Sequence, residues 1–326
     1  MSSMFNGNIS LSIFGESHGA GIGVVIDNLP AGEAIDLDEI QQFLNRRAPG
    51  NSDTATARKE GDIPEILSGL YNGKTTGTPL CAVIRNTNQI SSDYENIAAL
   101  RLGHADYTGH VRYKGSNDIR GGGHFSGRLT APLVFAGAVC GQILKRRGIS
   151  VNAEILSIGG VKVTGDEQVR EIILSAKSKG DSVGGVIKCT ATGVPAGIGS
   201  PMLDGLENVI SRLVFAIPAV KGIEFGTVCD YGSENNDEFY LDGDAVKTRT
   251  NNHGGILGGI SSGMPIEFTV KIKPTPSISI PQNTVDIAKM QETVMEIKGR
   301  HDPCIVPRAV VCVEAAMNIA LLSLME

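Results

Sequence analysis

The sequence has no tryptophan, and aromatic residues make up only 5% of the chain. Valine, isoleucine, leucine and alanine must therefore fill the core, which favours β-strands packed on helices of small residues. No uninterrupted apolar run approaches the ~20 residues that span a bilayer, and residues 1–8 lack the basic and apolar segments of a signal peptide. These absences predict a soluble, cytoplasmic protein of mixed α and β structure with no membrane partner.

The sequence also lacks the Cys-x-x-Cys spacing of zinc knuckles and redox motifs. Each of the six cysteines stands alone in largely apolar surroundings, so we expect buried free thiols rather than a disulfide framework or a metal site. The net charge of −6 gives no general attraction for nucleic acid. An anionic partner must therefore be bound by a local group of cations.

Glycine is present in excess, at 41 of 326 residues, where about 7% is usual. Basic residues concentrate between positions 46 and 128, in glycine-rich surroundings rather than at helical spacing. Guanidinium groups in such loops can converge on a small, multiply charged anion, because they bind carboxylate and phosphate bidentately. The alternative is a solvated charged surface. The basic residues are Arg46, Arg47, Arg58, Lys59, Arg101, Arg112, Lys114, Arg120 and Arg128.

No low-complexity linker divides the chain, so we expect one compact domain over residues 1–326, with sheets and buried helices. A helix capped by Asp36 should end at Arg46 and Arg47. The segment 130–147 is apolar on nearly every side, which indicates a helix buried between layers. Further helices are predicted at 166–179, 202–215 and 309–324, and strands at 9–14, 22–27, 66–70, 81–85, 183–190, 223–228 and 266–273.

The run Gly15-Glu-Ser-His-Gly19 matches the G-x-S-x-G nucleophile elbow of serine hydrolases. An elbow needs a helix directly after the serine, whereas residues 22–27 are strand-like and few residues precede Ser17. A glycine-bracketed turn explains the pattern equally well. A serine hydrolase acting through Ser17 stays open as an alternative function.

A second glycine-rich loop, residues 121–127, precedes the predicted helix at 130. Its backbone N–H groups and the helix N-terminus could hold a phosphate. The loop lacks G-x-G-x-x-G and follows a polar segment, which disfavours a Rossmann-type nicotinamide site. A plain glycine-rich connection is the alternative. A phosphate-bearing ligand therefore remains a hypothesis for this loop.

Several loops carry groups that could bind or transfer protons. His18 and His104 stand between glycine or small residues, where an imidazole can reach a ligand and titrate near neutrality. His301 lies in an Arg-His-Asp-Pro run that ends at Pro303. The glycine-rich segment 251–263 permits close backbone approach, and residues 273–277 offer a cation and two hydroxyls to a phosphate.

Taken together and in order, these motifs resemble those of the chorismate synthase family. The resemblance extends from about Phe14 to Glu314. The motifs are Gly15-Glu-Ser-His-Gly19, Arg101-x-Gly-His-Ala-Asp106, Gly121-Gly-Gly-x-x-Ser-x-Arg128, Asn251-x-x-Gly-Gly-Ile-x-Gly-Gly-Ile260, Lys273-Pro-Thr-Pro-Ser277 and Arg300-His-Asp-Pro303.

The resemblance implies an α/β fold of the β-α-β sandwich type, with helices enclosed by antiparallel sheets, in a homotetramer. It implies a carbon–oxygen lyase that converts 5-enolpyruvylshikimate 3-phosphate to chorismate and phosphate, the last common step of the shikimate pathway to aromatic amino acids. Reduced FMN would be required although the reaction has no net redox change. The sequence does not decide whether the protein reduces its flavin with NADPH, and we expect an external flavin reductant because no separate reductase region is visible.

The resemblance also implies residue roles. His18 would serve the departing phosphate and His104 the reduced flavin, while Asp302, with Ser17, would help to remove the proton through the flavin. The substrate-binding residues would be Arg46, Arg47, Arg101 and Arg128. The FMN-binding residues would be Ser126, His124, Phe125, Gly258, Lys273, Pro274, Thr275, Pro276, Ser277 and Arg300.

The sequence departs from the common family pattern at several positions. Asp53 stands where many members have arginine, and Arg58 or Lys59 is a candidate to supply the missing charge. The other departures are Ala48, Leu102, His124, Phe125 and Leu129. Two alternatives to the lyase remain, namely the serine hydrolase and a non-catalytic protein that binds phosphorylated metabolites.

Overall fold

The computed structural model describes residues 3–48, 61–87, 99–297 and 302–326. The helices in these ranges are α1 (Leu37–Arg47), α2 (Asp106–Tyr113), α3 (Thr130–Arg146), α4 (Asp166–Ser178), α5 (Leu206–Val214), α6 (Gly232–Asn235) and α7 (Val306–Met325). The strands are β1 (Met4–Phe5), β2 (Ser10–Gly15), β3 (Gly21–Asp27), β4 (Pro64–Ser68), β5 (Leu70–Tyr71), β6 (Lys74–Thr75), β7 (Leu80–Arg85), β8 (Ser150–Ile158), β9 (Val161–Lys162), β10 (Gly185–Thr192), β11 (Val220–Phe225), β12 (Phe239–Asp242), β13 (Ala245–Thr248), β14 (Ile256–Leu257), β15 (Ile260–Ser261), β16 (Ile266–Ile272), β17 (Gln282–Asp286) and β18 (Gln291–Met295).

Two five-stranded antiparallel sheets enclose the central helices. Their strand orders are β1-β2-β3-β7-β4 and β11-β16-β10-β8-β9. Helix α3 contacts β3 and β7 of the first sheet and β8 of the second, while α7 packs on α3 and on β8 and β10. The expected sandwich, with helices between antiparallel sheets, is therefore confirmed.

The sequence explains why these elements form. Asp36 caps α1 by accepting hydrogen bonds from the backbone N–H groups of Asp38 and Glu39, at 2.9 and 3.1 Å. In β16 the apolar residues at alternate positions are buried and those between them are not, as expected for a strand with one face on the core. The predictions for both segments are confirmed.

The α3–α7 pair forms the centre of the core. Most residues of both helices are buried, which agrees with their lack of a polar face. Gly137 of α3 lies against Ala315 of α7, and a Cβ on Gly137 would overlap that alanine. The small residues therefore let the two helix backbones approach closely.

Several predicted elements differ in their limits, among them a helix and two strands. The helix expected over 202–215 is a 3-10 turn, Met202–Asp204, followed by α5, because Gly205 has an extended backbone at the start of α5. The strand expected over 183–190 is β10, and the one expected over 223–228 is β11, which begins three residues earlier. Hydrophobic patterning finds such elements but sets their ends poorly.

Two helical segments, Arg120–Arg146 and Val306–Met325, are long and apolar enough to span a bilayer. Their mean hydropathies are 1.3 and 1.6 over an 18-residue window, and 89% and 78% of those windows are buried inside the protein. Core helices that are apolar on every side pass the same test. The burial of these two segments agrees with their position between the two sheets of the sandwich.

Candidate functional site

A cavity of about 730 Å³ opens beside the core, within the usual volume range of small-molecule sites. Its wall is formed by the turn before α2, the 3-10 turn Arg120–Phe125, the end of α5 and the segment after β16. These parts are far apart in the sequence. The fold therefore brings the histidine, glycine and Lys-Pro-Thr motifs to one place.

One wall of the cavity carries positive charge. Arg101 donates to both carboxylate oxygens of Asp106, at 2.7 and 2.8 Å, and His104 Nε2 lies 2.7 Å from Ser277 Oγ. Lys273 Nζ donates to the carbonyl of Gly103 at 2.6 Å. Burial and the nearby charge of Lys221 lower the pKa of Lys273. The negative charge of a bound anion would offset this shift by favouring the charged ammonium, so this wall suits a phosphate or carboxylate.

The glycine-rich turn forms the neighbouring wall. Gly121, Gly122 and Gly123 have φ of +58°, +86° and +54°, a region that L-residues with a side chain adopt only with strain. A Cβ on Gly121 would overlap the imidazole of His18. Glycine at this point therefore lets the backbone of the cavity wall lie directly on the histidine.

Ser17 and His18 lie behind this turn and are buried. The Ser17 hydroxyl lies 3.2 Å from the carbonyl oxygens of Arg120 and Gly121, each within hydrogen-bond reach, and 3.0 Å from His18 Nδ1. Ser17 is only 1% exposed, and a strand, β3, follows it at Gly21. This geometry matches the glycine-bracketed turn and lacks the exposed serine and following helix of a nucleophile elbow.

Two arginines and one carboxylate form a buried cluster next to the start of α3. Asp62 accepts from both Arg47 and Arg128, and the side chains of all three are at most 4% exposed. Arg128 Nε also donates to Asn86 Oδ1 at 3.0 Å, and Arg47 Nη1 to Thr130 Oγ1 at 3.4 Å. The three groups carry a formal charge of +1 together, which leaves attraction for an anion.

Asp302 and Arg46 have partners on α7. The guanidinium of Arg308 pairs with Asp302, and its Nε donates to the carbonyl of Arg47 at 2.8 Å. Arg46 forms two hydrogen bonds to Glu314, at 2.6 and 2.9 Å, and Glu314 also accepts from the backbone N–H of Ala153. Arg46 therefore joins α1 to α7 in this structure.

The predicted site residues fall into three groups. Those that line the cavity are Arg101, His104, His124, Phe125, Ser126, Lys273, Thr275 and Pro276. Those that lie outside its lining are Ser17, His18, Arg46, Arg47, Arg128, Gly258, Pro274, Ser277 and Asp302. Arg300 and His301, together with Asp53, Arg58 and Lys59, lie outside the described residues.

The groups outside the lining are not equally distant from it. His18 touches the cavity wall through Gly121, and Ser277 does so through His104. Gly258 instead belongs to the β14–β15 turn, with φ of +62°, and its neighbour Gly259 packs against Ser200 and Gly205 at the start of α5. The cavity itself is lined by residues at the other end of α5.

The cavity lining also contains residues that the motifs did not mark. These are chiefly Tyr113, Asn117, Arg212, Pro218 and Ala219. Arg212 sits on the polar side of an amphipathic helix, and Tyr113 ends a helix that the sequence did not predict. Nothing in their spacing distinguishes them from surface residues. Tertiary structure alone brings them to the site.

A cavity with cations on one wall and glycine backbone on the next is typical of an enzyme site that suits an anionic small molecule. The chorismate synthase family model matches residues 9–325. A chorismate synthase of Dehalococcoides mccartyi is 45% identical, with 99% of this chain and 96% of that protein covered. One of Methanothermobacter thermautotrophicus is 44% identical, with 95% and 90% covered.

A solved structure described as a chorismate synthase has a TM-score of 0.76 and 28% identity, and the match covers 97% of this chain and 91% of that one. This chain belongs to the chorismate synthase family. The resemblance inferred from the six motifs is therefore confirmed, and the chain is identified as an enzyme of this family.

Proposed function

We propose that this protein converts 5-enolpyruvylshikimate 3-phosphate to chorismate and inorganic phosphate, with reduced FMN bound. The reaction is a 1,4-elimination in which a C–O bond breaks, phosphate leaves and a proton is lost from carbon. The observation that carries the proposal is the cation-lined cavity, which brings together Arg101, His104 and Lys273 in a chain of this family. The substrate bears two carboxylates and a phosphate, so it needs several local cations on a protein of net charge −6.

The residues at the cavity fit an anionic, hydroxyl-rich cofactor. Thr275 Oγ1 is shielded from solvent and has no hydrogen-bond partner among the described residues, although it lies beside Lys273 in the lining. A buried hydroxyl without a partner is costly, and a phosphate or ribityl oxygen would supply one. Reduced FMN, when bound, would supply an electron-rich, reversibly protonated ring beside the substrate. We propose that it is held by Ser126, His124, Phe125, Lys273, Pro274, Thr275, Pro276, Ser277 and Arg300. The cavity gives no support for the expected contact with Gly258, which belongs to the β14–β15 turn near the other end of α5.

Substrate anions would be bound by Arg101, Arg47 and Arg128. The excess positive charge of the Arg47–Asp62–Arg128 cluster supports this assignment for the last two. For Arg46 the support is weakest, because buried Glu314 already gives it a structural role.

Proton handling is proposed for four residues. His18 would donate to the departing phosphate, and the Ser17 hydroxyl beside it fixes the imidazole through Nδ1. His104 is oriented by Ser277 and would control protonation at the cofactor position. Asp302, paired with Arg308, would act with Ser17 in removal of the substrate proton.

Anaerobic phosphate release tests this proposal. Purified protein with substrate and FMN reduced by dithionite should release phosphate and form chorismate in equal amounts. The same mixture without flavin should release none. Full turnover without flavin would contradict the cofactor assignment, and no turnover with it would contradict the activity.

We also propose a homotetramer that works in the cytoplasm and receives electrons from an external flavin reductant. Exposed apolar side chains on the β12–β13 hairpin support assembly, because Phe239, Leu241 and Val246 are 65%, 76% and 59% exposed. Light scattering on the purified protein measures the assembly state. Flavin reduction with NADPH alone would contradict the need for an external reductant.

A further inference from the structure

We propose that Asn117 binds the imide edge of the flavin ring: Oδ1 accepts from the ring N–H, and Nδ2 donates to a ring carbonyl. The inference rests on the proposed function. It adds a recognition residue to the cavity at a position that none of the motifs includes.

The first observation is an unpartnered amide. Asn117 lines the cavity, and its Oδ1 is shielded from solvent yet has no hydrogen-bond partner among the described residues. Buried acceptors are nearly always paired, because leaving one without a donor is costly. Within the described lining, Asn117 is also the only side-chain amide. This oxygen is therefore an acceptor that an N–H or O–H group of a ligand could satisfy.

The second observation is the position of the amide beside an aromatic surface. A Cβ on Gly109 of α2 would come within 2.8 Å of Phe125 Cε2 and 3.3 Å of Asn117 Nδ2. The glycine thus makes room for the phenyl ring and the amide to lie side by side. Both residues belong to the lining of the same cavity.

The aromatic surface is larger than one ring. Tyr113 and Phe125 have ring centroids 6.1 Å apart with an interplanar angle of 55°, and both rings line the cavity. They are 42% and 41% exposed, although burial of aromatic rings is strongly favourable. A planar ligand that stacks on Phe125 would cover this surface and bring one of its edges towards Asn117.

The chemistry of the edge follows from the amide. A carboxamide offers one acceptor and one donor side by side, and an imide offers an N–H next to a carbonyl. The two are complementary. The neutral flavin ring would thus lie on the Asn117 side of the cavity. The phosphate at the other end of FMN would lie on the Lys273 side, where the cations are.

A flavin titration tests the inference without depending on turnover. Oxidised FMN is titrated into the full-length protein in the presence of 5-enolpyruvylshikimate 3-phosphate, and the dissociation constant is read from flavin fluorescence. The ligands are FMN and FMN methylated at the imide nitrogen, which cannot donate. The proteins are the parent chain, Asn117→Ala and the control Asn152→Ala, an exposed amide on β8 away from the cavity.

The parent chain and Asn152→Ala should bind FMN about 5- to 20-fold more tightly than methylated FMN, and Asn117→Ala should lose a similar factor for FMN. Asn117→Ala should then bind the two flavins equally. Equal FMN affinity in Asn117→Ala and the parent, or unchanged discrimination in Asn117→Ala, would overturn the inference alone. No FMN binding by the parent would overturn both the inference and the cofactor assignment. The methylated flavin probes the parent chain directly, so a poorly folded variant does not remove the test.

Discussion

Glycine serves opposite purposes in the core and in the cavity wall. In α3, Gly137 and Gly141 have helical backbones, and a Cβ on either would overlap α7 at Ala315 or Asn318. In the cavity wall, Gly121 to Gly123 have positive φ and shape a turn around His18. The first use brings helices together and the second bends backbone around a side chain. Changes in the core should therefore affect stability, and changes at the cavity should affect activity.

The largest effect is expected from two histidines, His104 in the cavity lining and His18 behind its glycine-rich wall. His18→Ala and His104→Ala should each lower kcat by about 10²- to 10⁴-fold, the usual contribution of a positioned acid or base. The unfolding midpoint should hardly change for His104→Ala, because this side chain belongs to a loop at the cavity, and it should fall somewhat more for His18→Ala, because the buried imidazole is lost. Steady-state kinetics with reduced FMN, together with thermal unfolding, measures both quantities. Near-parent rates in both variants would refute their assigned roles.

The Arg47–Asp62–Arg128 cluster is buried, so removing its only carboxylate should lower the stability of the protein. Asp62→Asn leaves Arg47 and Arg128 without their shared counter-charge, so we expect a loss of about 3–5 kcal/mol in the free energy of unfolding. The matched control is Glu65→Gln, which removes one partner of the half-exposed pair with Arg85 and should cost less than about 1 kcal/mol. Urea unfolding of the two variants compares them. Equal costs would show that burial of the cluster contributes nothing.

A larger side chain in the core should cost stability alone. Gly137→Val would force α3 away from Ala315 of α7 and should lower the free energy of unfolding by about 1–3 kcal/mol. Gly127→Ala is the matched control, because a Cβ there meets no atom within 4 Å and its φ is not positive. The folded fraction of Gly137→Val should keep parent kcat. A stability of Gly137→Val equal to that of the control would contradict close packing of the two helices.

The smallest effect is a pH dependence at the cavity. Burial raises the pKa of Asp106, but hydrogen bonds and the charge of Arg101 outweigh it and hold this pKa below its usual value. The pair therefore stabilises the protein above the unfolded-state pKa of ~3.9, and this contribution disappears as the pH falls through the lower folded-state pKa.

Thermal unfolding of the parent chain and Asp106→Asn at about pH 6 and about pH 3 measures this effect. The parent should be the more stable at the higher pH, and the gap should narrow at the lower one. A gap of the same size at both pH values would show that the Arg101–Asp106 pair does not control it.

Local signals explain which elements could be predicted from sequence. The α1 cap, the alternation in β16 and the apolar run of α7 each lie within one segment, so propensity and periodicity identify them. Helix α2 was missed because its sequence contains Gly109 and it has no side-chain cap. Strand β8 was missed because polar residues interrupt its apolar positions.

The candidate site was predictable only where its motifs are contiguous. Residues 273–277 and 121–128 stand out as short runs, and the structure brings parts of both to the cavity. The pairing of Asp62 with Arg47 and Arg128 joins three distant segments and has no local signal. The placement of Asn117 and Phe125 also has no local signal, because both side chains lie against Gly109, which belongs to another element.

The most direct test of the proposed cofactor and substrate site is a crystal structure of the protein with FMN and 5-enolpyruvylshikimate 3-phosphate. We expect flavin density in the 730 Å³ cavity, with the phosphate near Lys273 and Thr275 and the ring against Phe125. We also expect substrate anions within reach of Arg101. Density for both molecules at another location, with the cavity filled only by water, would contradict the assignment of this cavity as the site.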